Sequence, residues 1–332
     1  MTAVLVTGGA GFIGSHLVEA LLGAGREVVV LDNFDEFYDP AVKRKNVESF
    51  QGRAGFSLVP GDIRDAGLVE SVFVSHPIGV VVHLAARAGV RPSIQNPLLY
   101  ADVNVNGTTL LLEACRRHGI GKFIFGSSSS VYGNNSKVPF SERDEVDRPI
   151  SPYAATKRAG ELLCATYHHL YNLDIFALRF FTVYGPRQRP EMAIHKFTRL
   201  VDRGLPVPRF GDGSTRRDYT YITDIVSGIV RAIERVQGFD IINLGGSRTT
   251  SLADLIALLE KLLGKTAIVE EAPDQAGDVV ATWADVAKAR RLLGYDPKVP
   301  LAEGLARFVG WYRTPERPAE RGVSVRGQGD RS

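Results

Sequence analysis

The segment Ala3-Val4-Leu5-Val6-Thr7-Gly8-Gly9-Ala10-Gly11-Phe12-Ile13-Gly14-Ser15-His16 has two halves that favour different structures. A short apolar run rich in β-branched residues enters a glycine cluster, and the chain leaves it as a helix-length pattern, Phe12–Ala24. Gly9, Gly11 and Gly14 satisfy G-x-G-x-x-G, a spacing that gains meaning where it follows a strand and opens a helix. Gly8 and Gly11 let the backbone turn and approach a pyrophosphate, and Gly14 lets the helix pack closely on the sheet. The first-turn amides, around Phe12 and Ile13, can then hold the anion.

Moving outward, the alternation repeats. Non-alternating apolar runs of strand length stand at Val28–Leu31, Phe56–Val59, Gly79–Leu84 and Phe123–Phe125, the pattern of strands covered on both faces of a parallel sheet. Helix-length stretches Lys43–Phe50, Ala66–Ser75 and Pro97–His118 separate them. Repeated βα units predict an α/β fold, a Rossmann-type doubly wound parallel sheet with right-handed crossovers. A long helix after Tyr153 leads to a further strand, Ile175–Phe180. Pro186, Pro190, Pro206, Pro208 and the Gly211-Asp212-Gly213 turn then break the regularity. We therefore expect residues 1–180 to form a dinucleotide-binding domain, with a segment near 219–245 returning to it. Residues 181–313 are expected to form mainly a smaller mixed α/β C-terminal substrate domain, with helices at Leu252–Leu263, Ala287–Leu293 and Leu301–Tyr312 around a strand at Ile241–Leu244. Residues 314–332, rich in Arg, Pro, Gly and Glu without apolar periodicity, read as a disordered tail.

Composition bounds the function. The 332 residues are 44% apolar and 23% charged, a globular balance of about two domains. Forty basic residues against 37 acidic leave +3, which gives no argument for a nucleic-acid partner. Only ten of those forty are Lys, a bias toward guanidinium groups that grip anions. Two cysteines, Cys115 and Cys164, are too few for a disulfide framework and point to a reducing cytoplasm. No apolar run approaches the roughly 20 residues of a membrane span. His168 and His169 are adjacent and lack partners at metal-ligand spacing, so no metal is expected.

Asp32 ends the second strand, 18 residues beyond Gly14. A carboxylate there accepts from ribose hydroxyls and repels a 2′-phosphate, favouring NAD over NADP. Neighbouring Lys43, Arg44 and Lys45 read as a solvated helix face. Asp62-Ile63 follows the third strand and is placed to meet an adenine. Tyr153 and Lys157 form Y-x-x-x-K, one helical turn apart and on one face. A phenol of pKa about 10 is a poor base near neutrality, but a neighbouring ammonium and a positive nicotinamide ring would favour phenolate.

Thr7–Gly14, Asp32, Asp62-Ile63, His83-Leu84-Ala85-Ala86, Asn104–Thr108, Ser127–Gly133, Tyr153–Lys157 and Arg216–Asp224 together resemble the extended short-chain dehydrogenase/reductase family, the nucleotide-sugar epimerases and dehydratases, over residues 2 to 313. The resemblance implies that Ser128 hydrogen-bonds the sugar oxygen to be oxidised, Tyr153 takes its proton and Lys157 holds the nicotinamide ribose. Asn33, Leu84, Ala85, Ala86 and Phe181 would complete the NAD site. It also implies a homodimer built on a helix pair, here Pro97–His118 and Tyr153–Tyr171.

Dehydratases and decarboxylases of this kind carry a carboxylate just before Val-Tyr-Gly, where this chain has Ser129 and Ser130. Without that group the set supports oxidation and re-reduction, which is 4-epimerisation of a UDP-sugar through a 4-keto intermediate. Residues 179–190, Arg-Phe-Phe-Thr-Val-Tyr-Gly-Pro-Arg-Gln-Arg-Pro, resemble the UDP-glucuronate 4-epimerase branch. The Thr182 hydroxyl and Arg189 guanidinium suit a C6 carboxylate, with Arg187 as the other candidate. Arg217 matches the family position for the diphosphate and Asp278 that for the uridine ribose, and the runs Asp32–Pro40 and Gln275–Asp278, with Gln275 a further substrate-binding candidate, also resemble that branch. UDP-glucose 4-epimerase is the alternative, and a non-catalytic NAD-binding module is a third reading.

Overall fold

The computed structural model describes residues 2–273 and 279–314. Gln275, Asp278 and the expected tail beyond Thr314 lie outside the described residues.

β1 (Ala3–Thr7) leads through the glycine turn to α1 (Phe12–Gly23), followed by β2 (Val28–Asp32), α2 (Pro40–Glu48), β3 (Phe56–Pro60), α3 (Ala66–Ser75) and β4 (Ile78–His83). Next come α4 (Val90–Gln95), α5 (Pro97–Ala101), a π-helical turn (Asp102–Asn106), α6 (Gly107–Arg117), β5 (Lys122–Ser128), α7 (Pro152–Tyr171) and β6 (Asp174–Phe180). After β7 (Thr182–Tyr184), α8 (Ala193–Asp202), β8 (Pro206–Phe210), β9 (Arg216–Arg217), β10 (Tyr219–Tyr221) and α9 (Ile222–Arg235), the chain returns to the main sheet as β11 (Phe239–Leu244). β12 (Thr250–Ser251), α10 (Leu252–Leu263), β13 (Ile268–Ala272), α11 (Ala287–Leu293) and α12 (Leu301–Tyr312) complete it.

The seven-stranded sheet has the order β11-β6-β5-β4-β1-β2-β3, and every neighbouring pair is parallel. Succession runs outward in opposite directions from β1 and β4, which opens a crevice beyond their carboxyl ends. Both faces are covered. Val4 and Val6 of β1 join one core while Ala3 and Leu5 join the other, which is why this strand shows no polar alternation.

The expected helix Pro97–His118 is interrupted by the π-helical turn, an insertion that apolar periodicity does not register. It presents Asn104 to two other segments. Its Nδ2 donates to the Arg87 carbonyl and to Thr156 Oγ1, both at 3.0 Å, and its Oδ1 accepts the Arg87 amide at 2.8 Å. After Phe180 the four prolines and the Gly211-Asp212-Gly213 turn suggested irregular chain. The structure forms three short two-stranded pairs there and beyond, β10-β7, β12-β9 and β13-β8, with strands of two to five residues. Such lengths are too brief for a period of two to show. α9 packs on α1. Trp283, expected to pack the smaller unit, is 37% exposed, whereas Trp311 joins His195 and Phe308 in an aromatic cluster. Cys115 and Cys164 are fully buried and free.

α7 can lie close to β5 because Gly160 has no side chain. A Cβ there would stand 2.3 Å from the Phe125 ring, which is itself buried. Gly160→Ala is therefore expected to destabilise the fold by about 1–3 kcal/mol through overpacking, read as a lower urea midpoint with an unchanged slope.

Candidate active site

A cavity of about 400 Å³ opens at the carboxyl ends of the central strands. Its floor is the glycine turn. Gly8 adopts φ +71, and a Cβ on it would meet the Ala85 amide nitrogen at 2.7 Å. A Cβ on Gly14 would lie 2.2 Å from the Gly8 carbonyl oxygen. Glycine is thus required at both positions. α2, α3 and α7 are capped by the side chains of Asp39, Asp65 and Ser151. α1 begins at Gly11 with no side-chain cap, which leaves first-turn amides for an anion.

Asp32 is buried at the tip of β2. Its Oδ2 accepts the Ala10 amide at 3.0 Å and its Oδ1 the Phe34 amide at 2.9 Å. Burial raises its carboxyl above the ordinary range, opposed by those two amides and by Lys43. Lys43 departs from the expectation of a solvated face. It is 8% exposed, donates to the Asp35 carbonyl at 2.8 Å and lines the cavity, because α2 packs its stem inward. Asp62 accepts from Asn33 Nδ2 at 2.8 Å and pairs with Arg64. The Arg64 hydrogen bonds hold its carboxyl down at about 2.

The structure brings together Gly8, Gly11, Phe12, Ile13, Gly14, Asp32, Asn33, Asp62, Ile63, Leu84, Ala85, Ala86 and Phe181 around one cavity. Ser128, Ser129, Ser130, Tyr153, Lys157, Thr182 and Arg189 share the same cavity. Arg217 lies apart on β9, with Nη1 donating to the Arg216 carbonyl at 3.0 Å. Phe37, Tyr38, Arg87 and Met192 also line the cavity without having been singled out. The only sequence signal for the first two was their place in the run Asp32–Pro40, and the backbone of Arg87 is positioned by Asn104.

Ser128 ends β5 and starts a 3₁₀ turn, Ser129–Tyr132. Its Oγ accepts the Ser130 amide at 3.2 Å and donates to Ser130 Oγ at 3.1 Å. Lys157 is buried and donates to the Gly126 carbonyl at 2.6 Å. Burial pushes its ammonium down to about 8, against the charge of Glu161. Tyr153 differs from the expected lowering: burial raises its phenol, opposed by a hydrogen bond with Ser128 and by the charge of Arg189.

The two candidate arginines separate. Arg187 has φ +63, an uncommon backbone state for a residue with a side chain, and pairs with Glu19 of α1 at 2.9 Å. Arg189 lines the cavity, 5.7 Å above the Phe37 ring. Behind this loop the His16 ring bonds the Pro186 carbonyl at 2.9 Å, while buried Gln188 donates to the Val183 carbonyl at 3.0 Å and accepts the His195 amide at 3.2 Å. Among the described residues no group of three His, Cys, Asp or Glu side chains is placed to hold a metal ion, and no helix is long and apolar enough to cross a membrane.

A parallel doubly wound sheet with a glycine turn and a Ser-Tyr-Lys set facing one cavity defines a Rossmann-type protein of the short-chain dehydrogenase/reductase class. The chain belongs to the GDP-mannose 4,6 dehydratase family of extended short-chain dehydrogenases/reductases, which it matches over residues 5–308. It is 44% identical to the UDP-glucuronate 4-epimerase of Thermodesulfobacterium geofontis over 92% of this chain and 95% of that protein. Among solved structures, the UDP-glucuronic acid 4-epimerase of Bacillus cereus, in complex with UDP-glucuronic acid and NAD, superposes with a TM-score of 0.88 at 41% identity, covering 93% of this chain and 98% of that one. The UDP-glucose 4-epimerase of Thermotoga maritima, with UDP-glucose, gives 0.87 at 36% identity, covering 94% and 99%.

His16 supplies a pH-dependent test of the loop anchor. Burial and Arg187 lower its pKa to about 4, below the unfolded value of about 6.5. Folding therefore favours the neutral ring. The stability tied to this preference is full above pH 6.5 and is lost as pH falls toward 4. Between pH 7 and pH 4 the wild type should lose more unfolding free energy than His16→Asn, by an upper bound of about 3 kcal/mol. Urea titrations at the two pH values measure the difference.

Proposed function

We propose that this chain is an NAD-dependent isomerase, a 4-epimerase that interconverts UDP-glucuronate and UDP-galacturonate. The observation that carries the reading is the joint placement of Tyr153, Ser128, Thr182 and Arg189 on one cavity with the glycine turn and Asp32.

The NAD site fits the residues present. Gly8, Gly11 and Gly14 leave room beside an uncapped helix start, with Phe12, Ile13, Leu84, Ala85, Ala86 and Phe181 along the wall. Asp32 would take the adenosine ribose, Asn33 and Asp62-Ile63 the adenine end, and Tyr153 and Lys157 the nicotinamide ribose. Bound NAD supplies reversible hydride chemistry with no net redox change over a cycle. The chain's part is proton transfer and positioning. Ser128 holds the sugar 4-oxygen, and Tyr153 removes the 4-hydroxyl proton and later returns one. Ser129 and Ser130 line the sugar pocket without a carboxylate for elimination chemistry.

Thr182 and Arg189 are the reading for the C6 carboxylate, with the guanidinium offering paired donors to it. A 4-keto uronate is a β-keto acid, which loses CO₂ when its C–CO₂ bond stands perpendicular to the carbonyl plane. Fixing the carboxylate through Thr182, Arg189 and Ser130 keeps it out of that orientation. Arg217, with Gln275 and Asp278, is assigned to the UDP end. In this reading residues 1–180 and the returning segment near 219–245 form the NAD-binding domain, and 181–313 mainly the UDP-sugar domain. A homodimer through Pro97–His118 and Tyr153–Tyr171 would cover Leu98, 82% exposed, together with Leu162 and Leu170. The free thiols suit a cytoplasmic protein.

Incubation with UDP-glucuronate, and separately with UDP-glucose, should give the 4-epimer from the first. Turnover of UDP-glucose alone overturns the substrate assignment. Tyr153→Phe should lower kcat at least about 100-fold while NAD remains bound, and retained turnover overturns the role of Tyr153. Arg189→Ala should raise the KM for UDP-glucuronate about tenfold or more, and chromatography should detect a pentose by-product. If it does neither, Arg189 does not hold the carboxylate.

A further inference from the structure

Beneath the Tyr153–Lys157 turn lies a buried ionic cluster that the proposed chemistry does not use. Glu161, on α7 one turn beyond Lys157, has no solvent exposure, and Arg179 of β6 has 1%. The guanidinium grips the carboxylate with two bonds, Nε to Oε1 at 2.7 Å and Nη2 to Oε2 at 2.8 Å. Arg158 reaches Oε2 at 3.3 Å. Glu161 Oε1 also accepts the Ser127 hydroxyl at 2.7 Å. Ser127 directly precedes Ser128 and pairs in register with Arg179 across β5 and β6. α7 is therefore tied to the end of β5 at two successive residues: Lys157 to Gly126, Glu161 to Ser127.

A buried ion pair is a poor device for stability alone, because desolvating two charges offsets most of their attraction. Well-packed apolar residues would serve as well. A strict spatial relation between helix and strand end is what two-point, charge-assisted bonding adds.

We propose that Glu161 is a positioning residue of the active site: clamped by Arg179, it fixes Ser127, and through it Ser128, relative to Tyr153, and it is the counter-charge of the Lys157 ammonium. The inference rests on the reading of Ser128, Tyr153 and Lys157 as the reacting set. The groups facing the ammonium are few. From α7 come Glu161 and the neutral Cys164 thiol. From β5 come the Gly126 carbonyl and the Phe125 ring, 5.1 Å from Nζ. From β4 comes His83, held neutral by burial with a pKa of about 3. Glu161 is the one anionic side chain among them, and it opposes the burial that pushes Lys157 down.

The decisive measurement follows Lys157 itself. In the full-length protein with ¹³Cε-labelled lysine, the Lys157 resonance is identified by its loss in Lys157→Arg and titrated with pH. Glu161→Gln should lower its midpoint by about one pH unit. An unmoved midpoint overturns the counter-charge role. If the buried guanidinium left by that change prevents folding, Glu161→Gln with Arg179→Met is compared with Arg179→Met alone, and the midpoint should be lower in the double variant. Ser127→Ala keeps the ion pair and cuts only the tether to β5. It should lower kcat roughly tenfold with KM for UDP-glucuronate unchanged within twofold, leaving the Lys157 midpoint in place. Full kcat in Ser127→Ala overturns the positioning role. A purely structural cluster would lower the melting temperature and move neither readout. Failure of the functional reading would appear separately, as retained turnover in Tyr153→Phe, and leaves the Lys157 titration interpretable.

Discussion

The approach of Gly14 to the Gly8 carbonyl is the constraint on which the site depends. A single methyl group at Gly14 would sit 2.2 Å from that oxygen, far inside van der Waals contact. Only a glycine pair lets α1 start this near the sheet, where its uncapped amides face the crevice between β1 and β4. The same placement fixes the opposite face of α1. His16 and Glu19, one and two turns on, engage Pro186 and Arg187. The helix that opens at the glycine turn thus also anchors the loop carrying Arg189 into the cavity.

That loop shows how a short sequence sorts two like charges. Arg187 and Arg189 are separated by one residue, and an extended backbone would place them on the same side. The left-handed conformation of Arg187 breaks that alternation. Glu19 takes one guanidinium and the cavity receives the other, while Gln188 is locked between Val183 and His195. The backbone strain of a side-chain-bearing residue at positive φ, of order 1 kcal/mol, is offset by an ion pair and buried hydrogen bonds.

Most of the sheet was legible because strands buried on both faces leave uninterrupted apolar runs, and α10, α11 and α12 fell at the residues their periodicity marked. Legibility ended where structure is set by contacts rather than by period. The π-helical turn adds one residue to a helix without changing its apolar content, and β9 and β12 are two residues each. Lys43 looked solvated because its neighbours Arg44 and Lys45 are basic too, yet its ammonium is drawn to the Asp35 carbonyl. In the site, spacing marked the glycine turn, Asp32 and the Tyr153–Lys157 pair, while Ser128, Thr182 and Arg189 were marked by the family resemblance. Arg87 and Phe37 could not be singled out, since the π-helical turn and a cation–π contact put them there. Arg217 carried a motif but lies outside the cavity wall.

The direction of the Tyr153 shift bears on how a uronate-handling site must distribute charge. Burial disfavours the phenolate, and the chain offsets it with the Ser128 hydrogen bond and the charge of Arg189. In the proposed reading a substrate carboxylate pairs with that same guanidinium and cancels its pull on the phenol. Lys157 spends one of its three donors on the Gly126 carbonyl and keeps its charge. In that reading bound NAD would add a further positive charge that favours phenolate. An uncharged sugar leaves Arg189 with Glu191, its partner at 3.1 Å, and does not draw on its charge. In the proposed reading, charge balance at Tyr153 joins the carboxylate grip in distinguishing the two kinds of substrate.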